Sequence, residues 1–258
     1  MFKFGIHRAI VEDSPVKLLY KPGGKERRGK RVLSEQELIA FVQDLDKACR
    51  SKQKRHVLML LLLLLQRRGE LGRAEWDEFD FKRKTWRIPD AHTKSRRGHV
   101  VPLTDWAISE LRALQDLSKG SRFVLPSSKP TRPANPKLIT RSVARSLARF
   151  AKVGIAPFKP HDLRRTARTE LARLGVPKHI AERILNHKKD DLEGTYDLYE
   201  YFDEKRAALE QWEQRLLRLK SAHREPQPSL RRKLNQQHVL KRNAANSQRG
   251  VSADRSGH

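Results

Sequence analysis

The stretch that decides the fold is Val57-Leu-Met-Leu-Leu-Leu-Leu-Leu-Leu65, which continues into Gln66-Arg-Arg-Gly-Glu-Leu71. Nine consecutive apolar residues leave no polar face, and this is typical of a helix surrounded by other elements in a core. The run is far shorter than the roughly 20 residues that a membrane-spanning helix needs. We therefore predict a buried helix whose carboxyl end presents a cluster of charged side chains.

Signals for further helices lie on both sides of this run. Ser34 and Glu37 have the spacing of a capping box, which predicts a helix through Ile39, Val42 and Leu45. Downstream, apolar periodicity bounded by glycine and proline indicates four more helices before a last one. Their predicted bounds are from about 105 to Gly120, 138–151, Pro160 to Gly175, Val176 to Asn186, and 202–219.

A β-rich stretch separates the leucine run from the later helices. Short strands are predicted around Phe79, Phe81, Thr85, Trp86 and Ile88, and again over residues 99–103. Residues 94–98, Lys-Ser-Arg-Arg-Gly, read as a polar turn between the last two. The predicted fold class is therefore mainly α with a small antiparallel β-sheet (α+β).

Charge and cysteine content restrict the classes of partner. The 258 residues hold 56 Lys or Arg against 30 Asp or Glu, a formal net charge of +26. Such a balance favours a polyanion, most often nucleic acid, over an anionic membrane surface. The single cysteine, Cys49, excludes an intramolecular disulfide and a thiolate metal cluster.

The distribution of basic residues also indicates domain boundaries. Residues 21–31 combine six cations, three glycines and one proline, which is typical of a linker. Before it, residues 1–20 hold one short apolar segment; after it, residues 32–219 hold the predicted helices and sheet. Residues 220–258 carry nine Lys or Arg against two Asp or Glu and few large apolar side chains, so we expect a mostly disordered basic tail.

Five features could carry chemistry, and each has a simpler interpretation when taken alone. His161 and Arg164 share one face near a helix start, where an anion binds well, although Arg164 could instead pair with an acid. Arg67 could bind a phosphate or pair with Glu70. The remaining candidates are Lys94 at the hairpin tip, His187 after Leu185-Asn186, and Tyr196, which could be ordinary solvated or packing residues.

The order and spacing of these residues resemble the tyrosine recombinases, in particular the phage-type integrases. The resemblance covers most of residues 2–215. It rests on residues 60–71 and on a series of short motifs: Ala74-Glu-Trp76, Thr93-Lys94, Val101-Pro-Leu103, His161-Asp-Leu-Arg-Arg-Thr166, Leu185-Asn-His187, Gly194-Thr-Tyr196 and Tyr201-Phe-Asp-Glu-Lys-Arg206.

The resemblance implies a catalytic set. The family's first active-site arginine stands three residues before an acid, which fits Arg67 with Glu70 and does not fit Arg68. The nucleophile follows the last histidine by nine residues, which selects Tyr196 over Tyr199 and Tyr201. The implied set is Arg67, Lys94, His161, Arg164, His187 and Tyr196.

The implied reaction is DNA cleavage and rejoining through a 3′-phosphotyrosine intermediate. It implies no cofactor and no metal, a double-stranded DNA partner, and a homotetramer on DNA from a protein that is monomeric when free. Accessory DNA-bending proteins and a bacterial, nucleoid-associated cytoplasmic location belong to the same expectation. DNA contacts are expected from nine basic residues: Lys21, Arg27, Arg28, Arg31, Arg96, Arg97, Arg141, Arg145 and Arg165.

The sequence departs from the family pattern in three places. Leu64-Leu65 replaces the usual Thr-Gly, and losing that glycine could tilt Arg67. Asn186 replaces the usual glycine before His187, which is a mild change because asparagine tolerates a left-handed cap. Residues 1–20 resemble only the final helix of a core-binding domain, so we expect a truncated integrase from a prophage or mobile element.

Four other functions stay open at this point. The chain could be a catalytically impaired DNA-binding remnant of an integrase. Arg141, Arg145 and Arg149 are predicted to share one helix face, which could follow a phosphate backbone or be an ordinary solvated face. It could be a topoisomerase-like nicking enzyme with the same tyrosine chemistry. A metal-dependent nuclease using His161 and Asp162 with His187, or a membrane-surface role for the tail, is less well supported by the residues.

Overall fold

The computed structural model describes residues 6–8, 10, 12–13, 29–94, 96–127, 131–187 and 200–222. The chain divides into two units, Met1–Lys30 and Arg31–His258. The described helices and strands given below all belong to the second unit. Most of residues 1–20 and 21–31 lie outside the described residues, as do all of residues 223–258. The predictions for these segments are therefore not tested.

The described part of the second unit is mainly helical, as predicted, with two additional 3₁₀ turns at Trp76–Glu78 and Asp90–His92. In chain order its α-helices are α1 Glu35–Ala48, α2 Lys52–Leu64, α3 Arg68–Arg73, α4 Asp105–Leu117, α5 Lys137–Ala144, α6 Leu147–Lys152, α7 Pro160–Arg173, α8 Lys178–Ile184 and α9 Phe202–Ser221.

The leucine helix α2 lies at the centre of the fold. All eight residues from Val57 to Leu64 are buried, and the helix packs against α1, α4, α7 and α9. Burial on every side explains why this segment has no polar face. The prediction of a core helix is confirmed, and the end of this helix fixes the position of the residues that follow it.

A three-stranded antiparallel sheet lies beside the helices in the order β1-β2-β3, with β1 Phe79–Asp80, β2 Thr85–Ile88 and β3 His99–Pro102. Trp86 pairs with Phe79 on one side and with Val101 on the other. The small antiparallel sheet is confirmed, with one correction. Phe81 lies in the turn after β1, and its ring stacks on Phe79 instead of extending the strand.

Helix ends follow the local signals in the sequence. Ser34 and Glu37 form both hydrogen bonds of the capping box at the start of α1. Gly120 and Gly175 have positive φ after α4 and α7, at 77° and 81°. A left-handed residue ends a helix at little cost when it is glycine, so these ends were predictable.

The single helix predicted over residues 138–151 is wrong. The chain forms α5 and α6 with a break at Arg145 and Ser146. The Ser146 hydroxyl donates to the Ser142 carbonyl at 2.9 Å, and Ser146 has φ −114° and ψ 3°. A serine hydroxyl bonded to the carbonyl four residues earlier weakens and bends a helix, which favours the break at this position. Arg141, Arg145 and Arg149 therefore do not form one continuous helix face.

The last helix, α9, closes the domain. It packs against α1, α2, α7, α8 and β3, and its Leu209, Trp212 and Leu216 are fully buried. The indole of Trp212 donates to the Leu62 carbonyl at 3.0 Å, near the carboxyl end of the leucine helix. None of the helices in the described parts of the chain is long and apolar enough to cross a membrane.

Candidate active site

Arg67 lies between the leucine helix and α3 and is held by Glu70. Its guanidinium Nη1 donates to Glu70 Oε1 at 2.9 Å, and its backbone N–H donates to Oε2 of the same carboxylate at 2.6 Å. Glu70 is only 1% exposed, whereas Arg67 is partly exposed. The Arg67–Glu70 ion pair, which the sequence analysis gave as an alternative to phosphate binding, is therefore present. It fixes the Arg67 side chain, which still reaches solvent.

The turn before Arg67 keeps its shape without glycine. Leu65 has φ 57° and ψ 13°, the left-handed conformation that glycine adopts most easily. Its side chain is fully buried, and this burial holds the residue in that conformation. The departure from the family pattern is thus accommodated by a strained leucine, and Arg67 still occupies the N-cap position of α3.

Arg164 is held by main-chain carbonyls and not by an acid. It lies on α7, is 3% exposed, and donates from Nη1 to Leu65 O and from Nη2 to Leu185 O. Burial, followed by the charge of Arg67, lowers the pKa of Arg164 to about 9, so it remains a cation at neutral pH. A guanidinium fixed at two points presents its charge in a defined direction.

The two arginines share one cleft with Lys94 and His161. This cleft has a volume of about 540 Å³ and is lined by Arg67, Lys94, His161 and Arg164. His161 lies in the first turn of α7, and partial burial together with Arg165 and Arg164 lowers its pKa. The structure therefore brings together four of the six residues in the implied set, and three of the four are Arg or Lys.

His187 follows α8 and is positioned by an acid that the sequence analysis did not single out. Its Nδ1 lies 2.5 Å from Glu182 Oε2, and Glu182 also receives a hydrogen bond from Arg168 Nε at 2.9 Å. Burial opposes ionisation of Glu182, but the hydrogen bonds from Arg168 and His187 outweigh it and lower the pKa. Side chains five residues apart do not share a face of a regular helix, so the pairing of Glu182 with His187 had no clear signal in the sequence.

Asn186 adopts the left-handed conformation expected of it, with φ 46°. Its carbonyl accepts a hydrogen bond from Arg67 Nη2 at 3.3 Å. The segment that carries His187 is therefore linked to both arginines, since the preceding Leu185 carbonyl receives Arg164.

Tyr196 and Tyr199 lie outside the described residues. Tyr201 is described: it precedes α9 with φ 51°, and the guanidinium of Arg183 lies 4.1 Å from its ring centroid. His179 makes an edge-to-face contact with the same ring at 5.5 Å between centroids. Tyr201 thus serves as a packing residue at the start of the last helix, and the choice of Tyr196 stays a prediction.

The basic residues expected to contact DNA have different surroundings. Arg31 pairs with Glu37, and Arg165 pairs with Asp162 at 2.5 Å. Arg96, Arg97, Arg141 and Arg145 are exposed. Lys21, Arg27 and Arg28 lie outside the described residues. Their contacts with DNA remain predictions.

Asp162 is occupied by the helix that it begins. Its Oδ2 accepts the Lys159 backbone N–H at 2.8 Å, and its Oδ1 pairs with Arg165. This carboxylate is 4% exposed and acts as a helix cap, which disfavours the metal-nuclease interpretation. Over the described residues, no three His, Cys, Asp or Glu side chains are grouped closely enough to hold a metal ion.

Sequence reasoning also missed a hydrogen-bonded group of three polar residues beside the arginines, one of which, Gln66, lines the cleft. They are Gln66, His99 and Asn186, joined by hydrogen bonds between His99 and the other two. Gln66 is 2% exposed and adjoins Arg67 in the chain. A polar residue between a leucine run and a functional arginine was a usable signal; the role of His99 was not visible because its partners lie 33 and 87 residues away.

The fold is that of a tyrosine recombinase catalytic domain. The phage integrase family model matches residues 31–199, and the chain belongs to that family. A curated relative, the prophage integrase IntA of Escherichia coli K12, is 31% identical over 210 residues. The match covers 81% of this chain and 49% of the relative, so the chain spans about half the length of the curated relative.

Solved structures share the fold. The integrase of mycobacterium phage Brujita has a TM-score of 0.56 at 14% identity, covering 86% of this chain and 73% of the other. A lambda integrase tetramer bound to a Holliday junction has a TM-score of 0.52 at 16% identity, covering 79% and 56%. At these identities the likeness concerns architecture, which agrees with the helices and the three-stranded sheet described above.

Proposed function

We propose that this chain is the DNA-cleaving part of a site-specific recombinase that works through a 3′-phosphotyrosine. The observation that carries the proposal is the single cleft lined by Arg67, Lys94, His161 and Arg164. Two fixed guanidinium groups, an exposed ammonium and an imidazole suit a phosphodiester, whose charge grows on the non-bridging oxygens as it is attacked. Membership of the phage integrase family supports the same reaction.

In this proposal the arginines hold the phosphate. Arg164 is fixed by Leu65 and Leu185 carbonyls, and Arg67 is fixed by Glu70. Because both are anchored before DNA arrives, little reorganisation is needed when negative charge develops. The geometry therefore favours stabilisation of the transition state over general attraction to DNA.

The remaining residues of the set attack the phosphate, transfer protons or hydrogen-bond the phosphate. The Tyr196 oxygen forms a bond to phosphorus while the bond from phosphorus to the 5′-oxygen breaks. Lys94 donates a proton to the leaving 5′-oxygen, and His161, neutral at pH 7 because its pKa is lowered, can accept the proton of the tyrosine. His187 hydrogen-bonds the phosphate. The energy of the broken bond is kept in the phosphotyrosine, so rejoining needs no nucleotide.

We also propose the assembly and partner. Exchange between two duplexes requires four cleavages, so four protomers on double-stranded DNA are expected, as in the lambda integrase tetramer. The exposed Arg96, Arg97, Arg141 and Arg145 and the paired Arg165 and Arg31 would contact phosphates, together with Lys21, Arg27 and Arg28. Accessory DNA-bending proteins and association with the bacterial nucleoid belong to the same proposal.

Covalent trapping tests this function. The protein is incubated in EDTA with a nicked suicide duplex that carries DNA flanking the gene, and with random-sequence duplex. We expect an SDS-stable protein–DNA band that disappears in Tyr196→Phe and persists in the matched control Tyr201→Phe. Persistence of the band in Tyr196→Phe would show that the nucleophile is another residue.

The absence of a covalent band in the wild type would have a different meaning. If binding to DNA remained and weakened with salt, the chain would be a DNA-binding remnant. The strained Leu65, two residues before Arg67, is the feature that favours this second function. Plasmid relaxation without recombinant product would favour a nicking enzyme.

A further inference from the structure

The amide of Gln66 can be oriented in only one way. Its Nε2 donates to Leu64 O at 2.7 Å and to Ile184 O at 2.9 Å, which uses both amide hydrogens. The remaining atom, Oε1, lies 3.1 Å from His99 Nε2. Because an amide oxygen only accepts hydrogen bonds, His99 Nε2 must carry a hydrogen and donate it.

Asn186 fixes the other side of the same imidazole. Its Nδ2 donates to Arg97 O at 2.9 Å and lies 3.0 Å from His99 Nδ1. Both hydrogens of this amide are then used, and Nδ1 must accept. The two amides together require a neutral His99 with its proton on Nε2.

The charges around His99 favour the same state. Burial, and then the cations Lys205, Arg164 and Arg67, lower the pKa of His99 to about 3. Lys205 is 3% exposed and donates to the Val100 carbonyl at 2.9 Å, so its charge is fixed beside the ring. A positive charge on the ring would face these three cations.

We infer that His99 is a positioning residue for DNA cleavage. As a neutral imidazole bonded to Gln66 and Asn186, it fixes the two segments that contain these residues, and that anchor the arginines, relative to the hairpin that carries Lys94. This inference rests on the proposed function. It concerns a residue that does not touch the cleft and acts through its two neighbours.

The contacts show how His99 acts on each arginine. On one side Gln66 lies between Leu65, whose carbonyl holds Arg164, and Arg67 itself. On the other, Asn186 accepts from Arg67 through its carbonyl and adjoins Leu185, the second anchor of Arg164. Since His99 opens β3, directly after the hairpin turn, a shift of the ring would move all three parts of the cleft relative to one another.

The first test needs no DNA cleavage. ¹⁵N NMR of the wild-type protein with labelled histidine reports the tautomer of each ring. We expect the His99 signals of an Nε2–H neutral imidazole, unchanged from pH 8 to pH 5. In His99→Leu we expect the side-chain N–H signals of Arg67 and Arg164 to shift. A ring protonated above pH 5, an Nδ1–H tautomer, or unmoved arginine signals would overturn the inference.

The second test measures cleavage. His99→Asn keeps an acceptor for Asn186, His99→Gln keeps a donor for Gln66, and His99→Leu removes both. Misplacement of catalytic groups by about 1 Å can cost about 100-fold in rate, so we expect about that loss in single-turnover adduct formation for His99→Leu. Smaller losses, about tenfold, are expected for His99→Asn and His99→Gln, with the Kd for DNA within about twofold of wild type for all three.

His56→Asn is the matched control. His56 is a mostly buried histidine bonded to Glu110, and it lies about 12 Å from Leu64 along the leucine helix. The His56→Asn variant should lose about as much stability as the His99 variants and keep the cleavage rate of the wild type. If the wild type formed no covalent adduct, the proposed function itself would be rejected. If the wild type were active and His99→Leu formed the adduct at the same rate, only the role of His99 would be rejected.

Discussion

Leu65 carries a backbone strain that a simple substitution can measure. With φ 57° it occupies a conformation that costs an L-residue about 1–2 kcal/mol and costs glycine almost nothing. Replacing the fully buried side chain by either Gly or Ala removes its burial. We therefore expect Leu65→Gly to be more stable than Leu65→Ala by about 1 kcal/mol, measured as the free energy of unfolding in urea.

Leu62 provides the control for this comparison. It is equally buried, but it lies inside the leucine helix, whereas Leu65 follows the last residue of that helix. Leu62→Gly should be less stable than Leu62→Ala by about 1 kcal/mol, because glycine loses more backbone freedom on folding. The same order at both positions would show that Leu65 is not strained.

At the scale of the element, the sequence predicted most helix boundaries because their causes are local. The Ser34–Glu37 box, Pro160 at the start of α7 and the glycines after α4 and α7 act through neighbours within a few residues. The leucine helix was predictable because a run without polar residues can only be buried. These elements place Arg67 and the His161–Arg164 pair, which explains why the central site residues could be proposed from sequence.

The division of residues 138–151 was not predictable from a periodic pattern. Ser146 receives hydrogen bonds from Lys54 and, at 2.6 Å, from Arg149 Nη2, while it donates to Ser142. Lys54 comes from the leucine helix, 92 residues earlier. A contact at that separation has no local signal, and the same limitation hid His99 with its distant amide partners.

Ser146→Ala tests the break directly. Removal of the hydroxyl takes one acceptor each from Lys54 and Arg149, which keep their bonds to the Ser142 and Ala48 carbonyls. A hydrogen bond to a charged group contributes about 1.5–3 kcal/mol. We expect a loss of that size in the free energy of unfolding. The control is Ser142→Ala, whose hydroxyl only donates to the Ile139 carbonyl of its own helix. It should be nearly neutral, and equal losses at both serines would contradict the role given to Ser146.

At the scale of the molecule, α9 joins the separate parts of the domain. It contacts four helices and β3, and the fully buried Trp212 also caps the leucine helix. We expect Trp212→Ala to cost about 3–5 kcal/mol, with unfolding still a single transition by fluorescence and circular dichroism. Leu217 on the same helix is 37% exposed, and Leu217→Ala should cost about 0.5 kcal/mol or less. Two separate transitions would show that α9 folds independently.

Stability against acid is also a property of the whole domain, and His99 and Glu37 are two of the groups whose lowered pKa reduces it. Burial and the cations Lys205, Arg164 and Arg67 lower the pKa of His99 from 6.5 to about 3, so between these values the unfolded chain binds a proton that the folded protein does not. Glu37 is partly buried, yet hydrogen bonds, chiefly from Arg31, lower its pKa from 4.5. Its contribution is complete above pH 4.5 and is lost as the pH falls through the folded value.

The two groups act in different pH windows, which allows His99 to be tested separately. Above pH 4.5 the Glu37 contribution is constant, so from pH 6.5 to 4.5 the difference between wild type and His99→Asn reports the imidazole. Asparagine does not titrate, and wild type should therefore lose stability relative to the variant as the pH falls across this window. Urea unfolding at pH 7, 6, 5 and 4.5 measures the difference in free energy. A difference that stays constant would mean that the folded protein protonates His99 as readily as the unfolded chain does, and the three surrounding cations would then have no effect on the ring.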